Sequence, residues 1–404
     1  MTLKAAFKDT IFLLGAGASY DAGCLVSQRM LDRLHQSIID IPQDHLVYGE
    51  YKIAFLELYQ FIKPSLSFQS ELRNIKSGTA NSMYAPNIED YILIIRKIIN
   101  KDLLIPEPLV GSWSERLMRL EIKHPDLFET YLNFIYEKVI AWISPADDYA
   151  AANELLVPLV DLLQATGDEP YYLNIFGLNY DLVFEKVLNA SEYLVNTGFN
   201  SDGIWTESAF DSGEAKINYS KIHGSLDWYL EEDDTHILKG HEIAFNPLQP
   251  DERKPHIILG FEYKLFSVDP FFTLLQQFIK KLKESRLLVV IGYSFFDNYL
   301  NNIIIRHLNA NVNARVLIVD PRWADEPEAG RDEKFLTYLR HLQSDNSSLS
   351  MNNYTTLASS RLKFYVAEDG GFSGAKQFYR EFFANKCAKL KNYLDSIKPE
   401  EFEF

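Results

Sequence analysis

Residues 11–23, Ile-Phe-Leu-Leu-Gly-Ala-Gly-Ala-Ser-Tyr-Asp-Ala-Gly, constrain the fold more than any other stretch of the chain. Four apolar residues read as a short buried strand, and glycines follow at once. Gly15 and Gly17 carry no Cβ, so the backbone there can turn tightly and approach a ligand closely. Ser19 is placed to cap a following helix, and Ser27 to Asp40 has the pattern of one. Strand, glycine turn and helix start together predict a phosphate cradle made of free backbone N–H groups and a helix dipole. The common dinucleotide fingerprint has a third glycine where this chain has Tyr20, which excludes an ordinary dehydrogenase loop.

Alternating strands and helices recur later in the chain. Strands are expected at Tyr172 to Gly177, Ile217 to Ile222, Trp228 to Leu230, His256 to Leu259, Arg286 to Ile291, Arg315 to Val319 and Leu362 to Val366. Helices are expected at Leu182 to Leu188, Pro270 to Lys283, Asn298 to Leu308 and Ala375 to Leu394. Runs such as Leu287 to Ile291 are apolar throughout, as strands covered on both faces are. The fold class is therefore α/β, with a Rossmann-like, mostly parallel sheet that gathers its ligand at the strands' carboxyl ends.

Between the first strand and the second, residues 27–165 read as helical. In Asn87 to Asn100 the residues Ile88, Tyr91, Ile92, Ile95, Ile98 and Ile99 share one face. Asn87 can cap that helix, and Glu89 and Asp90 suit its first turn. Asp44 to Lys63, Leu127 to Ile143 and Asn153 to Leu163 have similar character. The division expected is a nucleotide-binding catalytic domain over 1–26 and 166–330, a large helical insertion or cap over 27–165, and a C-terminal α/β extension over 331–404.

Composition narrows the function classes. The 404 residues carry a formal net charge of −16 and no Lys/Arg block, which argues against direct binding to nucleic acid or to an anionic membrane surface. Two cysteines, Cys24 and Cys387, make neither a disulfide framework nor a four-cysteine zinc site. No apolar run approaches the roughly 18 residues that span a bilayer, and the N-terminus has no signal-peptide pattern. A soluble cytoplasmic protein is expected.

Three segments place polar groups where strands end: Gly177-Leu-Asn179-Tyr-Asp181, Ile222-His223-Gly224-Ser225 and Ile291-Gly292-Tyr293-Ser294-Phe295-Phe296-Asp297. Each has a bland reading. Asn179 to Asp181 can be a helix cap, His223 a hydrogen-bonded strand end, and Gly292 to Ser294 a turn into a helix capped by Asp297. The acidic run Glu231 to Asp234 reads as a solvated turn, and His236, His241 and His256 lack zinc spacing.

In this order, the segments resemble the sirtuin superfamily. Its Gly-Ala-Gly-x-Ser loop with a later glycine matches Gly15, Ala16, Gly17, Ser19 and Gly23. Its Asn and Asp after a strand match Asn179 and Asp181, its His-Gly matches His223 and Gly224, and its Gly-x-Ser matches Gly292 and Ser294. The resemblance spans about residues 8 to 325, with the helical region as an insertion. Deacylase sirtuins follow the first loop with Ile-Pro-Asp-Phe-Arg and carry a four-cysteine zinc module. This chain has Cys24-Leu-Val-Ser-Gln-Arg-Met and no such cysteines. Its wording is more similar to the sirtuin-like, NAD+-hydrolysing domains of bacterial anti-phage defence proteins, above all the subunit that pairs with a HerA-type ATPase.

The resemblance implies NAD+ as substrate, without zinc, and cleavage to nicotinamide and ADP-ribose as the effector step of abortive infection. It implies Asn179, His223 and Asp181 as catalytic residues. Substrate contacts are implied at Gly15, Ala16, Gly17, Ala18, Ser19, Asn179, Asp181, His223, Gly292, Tyr293 and Ser294. Asn179 would orient water or ribose hydroxyls, and neutral His223 would accept a proton. Asp181 would orient nicotinamide or cap the helix after it; Asp320 would meet the adenosine ribose or make a turn before Pro321. A homo-oligomer and a HerA-type ATPase are the implied partners. The competing readings are an NAD+-dependent deacylase or ADP-ribosyltransferase, and a non-catalytic NAD+ or ADP-ribose sensor.

Overall fold

The computed structural model describes residues 1–77, 85–100, 112–144, 149–166, 171–191, 193, 195–211, 216–230, 237–240, 269–311, 313–324, 326–343, 362–366 and 374–397. A short helix α1 (Leu3–Lys8) leads into β1 (Thr10–Leu14), and a 3₁₀ segment follows over Ala16–Ala22. The helical region is built from α2 (Ser27–Ile39), α3 (Lys52–Ser77), α4 (Ile88–Ile99), α5 (Ser112–Lys123), α6 (Leu127–Ile143) and α7 (Ala150–Thr166). Next come β2 (Leu173–Gly177), α8 (Val183–Ala190), β3 (Val195–Asn196) and β4 (Ile217–Lys221), then a hairpin of β5 (Trp228–Leu230) and β6 (Ile237–Lys239). The chain continues through α9 (Phe271–Glu284), β7 (Leu287–Ile291), α10 (Asn298–Ala310), β8 (Arg315–Val319), α11 (Pro321–Ala324), α12 (Arg331–Gln343), β9 (Leu362–Phe364) and α13 (Ala375–Ser396).

The main sheet has seven strands in the order β3-β4-β2-β1-β7-β8-β9, every neighbouring pair parallel. Successive side chains of a strand point to opposite faces, and the core divides accordingly. Phe12, Leu14, Leu287, Val289 and Ile291 pack with α7, α8 and α13 on one face. Ile11, Leu13, Leu288, Val290 and Ile318 pack with α9, α10 and α12 on the other. This is a Rossmann-like α/β fold. β1 lies at its centre, and the chain fills one flank with β2, β3 and β4 and the other with β7, β8 and β9.

Helices α2, α3, α4 and α6 enclose a second apolar core, which Leu182 and Leu226 from the loops after β2 and β4 enter. Asn87 caps α4 as its sequence predicts, its Oδ1 accepting from the N–H groups of Glu89 at 2.8 Å and Asp90 at 3.1 Å. Tyr91 and Tyr131 join α4 to α6 through their hydroxyls, 2.8 Å apart in the apolar interior. Helix α7 instead packs beneath the sheet against α13, and β9 supplies the seventh strand.

Several expectations need correction. Ser19 caps no helix: it is buried in the middle of the 3₁₀ segment, and α2 starts after Val26. The helix expected from Asp44 begins at Lys52 and runs through Pro64 to Ser77. The strand expected at His256 to Leu259 lies outside the described residues, as do Glu231 to Asp234, His236 and His241.

Candidate active site

Because the strands of the main sheet are parallel, the loops after β1, β2, β4, β7 and β8 meet on one edge. They floor a cleft of about 750 Å³, a volume typical of small-molecule sites. Its walls are the first turns of α2, α4 and α13, with Val139 and Ile143 of α6. The helical region therefore encloses the cleft directly, and Glu89 and Asp90 line it as well as sitting in the first turn of α4.

The glycines of the two loops have a different first duty from the one expected. A Cβ on Gly15 would lie 2.6 Å from Tyr293 Cα, and one on Gly17 would lie 2.8 Å from Gly292 Cα. The loops lock together instead. Gly15 N–H donates to Ile291 O at 2.9 Å, Gly17 N–H to Gly292 O at 2.9 Å, and Ala18 N–H to Gly15 O at 2.8 Å. These three donors are thus committed within the protein, contrary to the open cradle that the sequence predicts. Gly292 has φ +61° and Gly23, closing the 3₁₀ segment, has φ +96°; both need the left-handed region that glycine enters without cost.

Gly15, Ala16, Gly17, Asn179, Asp181, His223, Gly292, Tyr293, Ser294 and Asp320 all line the cleft. Ala18 and Ser19 lie behind its surface, both buried. Ser19 sits between two site residues there. Its oxygen accepts from Asn179 Nδ2 at 3.0 Å, and its nearby hydroxyl helps to hold down the Asp181 carboxyl. With Nδ2 so held, Asn179 Oδ1 is a buried acceptor with no partner among the described residues. Asn179 itself is 6% exposed. A buried polar atom left unpaired in a cleft marks where a ligand or water donates.

Asp181 is a cap as well as a site residue: its Oδ1 accepts from Val183 N–H at 3.1 Å, opening α8. Burial pushes its carboxyl above the usual range, and the Lys221 ammonium pulls it back. Lys221, at the end of β4, is 1% exposed. It pairs with Glu185 at 3.0 Å and donates to Ser225 Oγ at 2.7 Å and to the Asp181 carbonyl. One buried cation thus ties the Asn179 loop to the His223 turn. Burial raises the Glu185 carboxyl in turn, with Lys221 opposing it.

His223 Nε2 lies 3.4 Å from Asp297 Oδ2. The other oxygen of Asp297 caps α10, accepting from Tyr299 N–H at 3.0 Å and Leu300 N–H at 3.3 Å. Cap and imidazole partner are the same carboxylate, a link between two strands that the cap signal alone does not carry. Asp320 makes the turn before Pro321: its Oδ1 accepts from Arg322 N–H at 3.0 Å, and the Arg322 guanidinium grips both its oxygens. Cys24 and Cys387 are both buried free thiols. Cys24 donates to Ile143 O at 3.3 Å, and burial raises its pKa far above the usual thiol range, so it serves packing.

Among the described residues no group of three His, Cys, Asp or Glu is arranged to hold a metal ion. None of their helices is long and apolar enough to cross a membrane. Residues 174–347 match the family model of the SIR2-like domain, so the Asn179, His223 and Gly292 loops fall within the matched segment. Among solved structures, a Sir2 homologue mutant complexed with ADP-ribose is 13% identical, with 86% of this chain and 98% of that one covered and a TM-score of 0.34. A further Sir2 homologue mutant, complexed with 2′-O-acetyl ADP-ribose, has the same identity and coverage and a TM-score of 0.35. No curated protein matches the chain.

Proposed function

We propose that the chain is an NAD+ glycohydrolase, converting NAD+ and water to nicotinamide, ADP-ribose and a proton. The observation that carries this reading is the buried, unpaired Oδ1 of Asn179, a residue that lines the cleft and whose Nδ2 is held by Ser19. Its acceptor suits a ribose hydroxyl or an attacking water. The cleft, about 750 Å³, is large enough for a dinucleotide.

The chemistry asks little of the protein. When the C1′–N bond breaks, its electron pair goes to the pyridinium nitrogen and nicotinamide leaves neutral, so no acid is required at the leaving group. What remains is to hold the ribose, stabilise oxocarbenium character and deliver water. Asn179 fixes the ribose or water, and His223 accepts the proton that water loses as its oxygen bonds to C1′. Asp297 orients the imidazole, and Asp181 acts through Ser19 as a positioning residue. A placed general base contributes roughly 10²–10⁴-fold.

The wording of the Asn179 and Gly292 loops, similar to defence-system NAD+ hydrolases, supports a role in anti-phage abortive infection. It likewise supports assembly as a homo-oligomer with a HerA-type ATPase. The decisive experiment incubates the purified chain, alone and with such a partner, with NAD+ and follows products by chromatography. Nicotinamide and ADP-ribose are expected in equal amounts without acyl-peptide, and His223→Ala and Asn179→Ala should each reduce release by about 10²-fold or more. Release only with an acyl-peptide would mark a deacylase, and binding without turnover under every condition would mark a sensor.

A further inference from the structure

The end of β8 carries an arrangement that bears on which dinucleotide the cleft takes. In Rossmann-like sheets an acidic residue at a strand's carboxyl end reads the hydroxyls of the adenosine ribose, and a nearby arginine instead accommodates a 2′-phosphate. Here the acid and the arginine are two residues apart, and both line the cleft. On the reading above, Asn179 and His223 at the ends of β2 and β4 hold the nicotinamide ribose. The glycine loop after β1 marks the middle, so the adenosine half lies over β7 and β8, where Asp320 and Arg322 stand.

Asp320 is not available to fork a ribose diol. Its Oδ1 accepts from the Arg322 backbone N–H at 3.0 Å and from Arg322 Nε at 3.1 Å. Its Oδ2 accepts from Nε at 3.1 Å and from Nη2 at 2.5 Å. The guanidinium is therefore fixed on Asp320, close to Tyr338, whose hydroxyl donates to Ser294 O at 2.6 Å, and its side chain is half exposed. Of its five N–H donors, Asp320 engages those on Nε and Nη2, which leaves others for a ligand. A guanidinium already held in place loses little freedom on meeting a phosphate.

We infer that the cleft admits a 2′-phosphorylated dinucleotide, with Arg322 receiving the 2′-phosphate, so that NADP+ is cleaved along with NAD+. This rests on the NAD+ glycohydrolase reading, which sets the nicotinamide half over β2 and β4 and the adenosine half over β7 and β8. The step is the same in either substrate, because the phosphate lies far from the bond that breaks.

Two measurements on the full chain test it. The first compares kcat/KM for NADP+ and NAD+. The ratio should lie within about tenfold of unity, fall by about tenfold or more in Arg322→Gln, and be partly restored in Arg322→Lys, which keeps the charge but not the fork. The second measures binding of ADP-ribose and of 2′-phospho-ADP-ribose by calorimetry. Both should bind, the second with an affinity that depends on Arg322. A wild-type NADP+ rate more than about a hundredfold below that of NAD+, with only ADP-ribose bound, overturns the inference and leaves the glycohydrolase reading intact. Arg322-dependent binding of the phosphorylated ligand with neither dinucleotide cleaved supports the inference about the site and overturns the hydrolase. If neither ligand binds, both fall.

Discussion

Ser19 holds a group that would otherwise be orphaned. Removing its hydroxyl leaves Asn179 Nδ2 without its buried acceptor, whereas Asp181 keeps Val183 N–H and the Lys221 charge. An unsatisfied buried polar group costs about 1–3 kcal/mol. Ser19→Ala should therefore lower stability by that order in chemical denaturation. It should also reduce NAD+ cleavage by about tenfold or more, because the amide loses its fixed orientation. Asn179 and His223 stand out in the sequence only as members of an ordered set of loops, since each alone also reads as a helix cap or a hydrogen-bonded strand end. Asp297 is half legible: its capping of α10 can be read from local spacing, its contact with His223 cannot. Lys221 gives no local signal, because Glu185 and the Asp181 carbonyl reach it only once separate loops fold over the sheet edge, whereas Arg322 pairs with Asp320 two residues before it.

At the scale of elements, the interlock of the two glycine loops is the most exacting feature. Gly292 touches Gly17 and Ala18 backbone to backbone, and its φ of +61° disfavours any L side chain. Gly292→Ala combines strain with a clash that no side-chain rotation relieves, and should destabilise by about 2–4 kcal/mol. Thermal denaturation of that variant beside Gly330→Ala gives the check. Gly330 also has positive φ but open space around it, so its loss should stay near the strain alone, about 1 kcal/mol. The strands and most helices are legible because periodicity and continuous apolar runs record burial directly. The 3₁₀ segment at Ala16–Ala22 is not, since Ser19 has the composition of a cap and only tertiary contact moves it inside.

Over the whole molecule, one local contribution to acid stability comes from a buried histidine. His307, on α10, is held by burial at a pKa of about 4 against its ordinary 6.5. Between those values the unfolded chain binds a proton that the folded chain refuses. The stability it preserves is complete above about pH 6.5 and is lost as pH falls toward 4, by at most about 3 kcal/mol. Asp181 and Glu185, whose carboxyls burial raises, act in the opposite sense. His307→Leu should flatten the fall in Tm between pH 6.5 and 4.5; an unchanged slope would place the acid sensitivity elsewhere. The helical region between β1 and β2 is legible as helix, but its place at the wall of the cleft is not, because Glu89 and Asp90 read equally well as first-turn acids.

The locked loops have a consequence for traffic through the cleft. Gly15, Gly17, Ile291 and Gly292 join the strand ends of β1 and β7 into one plate, so the two loops cannot part to let a ligand pass. Entry and departure then belong to the walls, above all the opening turns of α2 and α4, which hang from the separate apolar core of the helical region. A body pressing on those helices from outside would act as a throttle, slowing or freeing exchange while leaving the reacting groups where they stand.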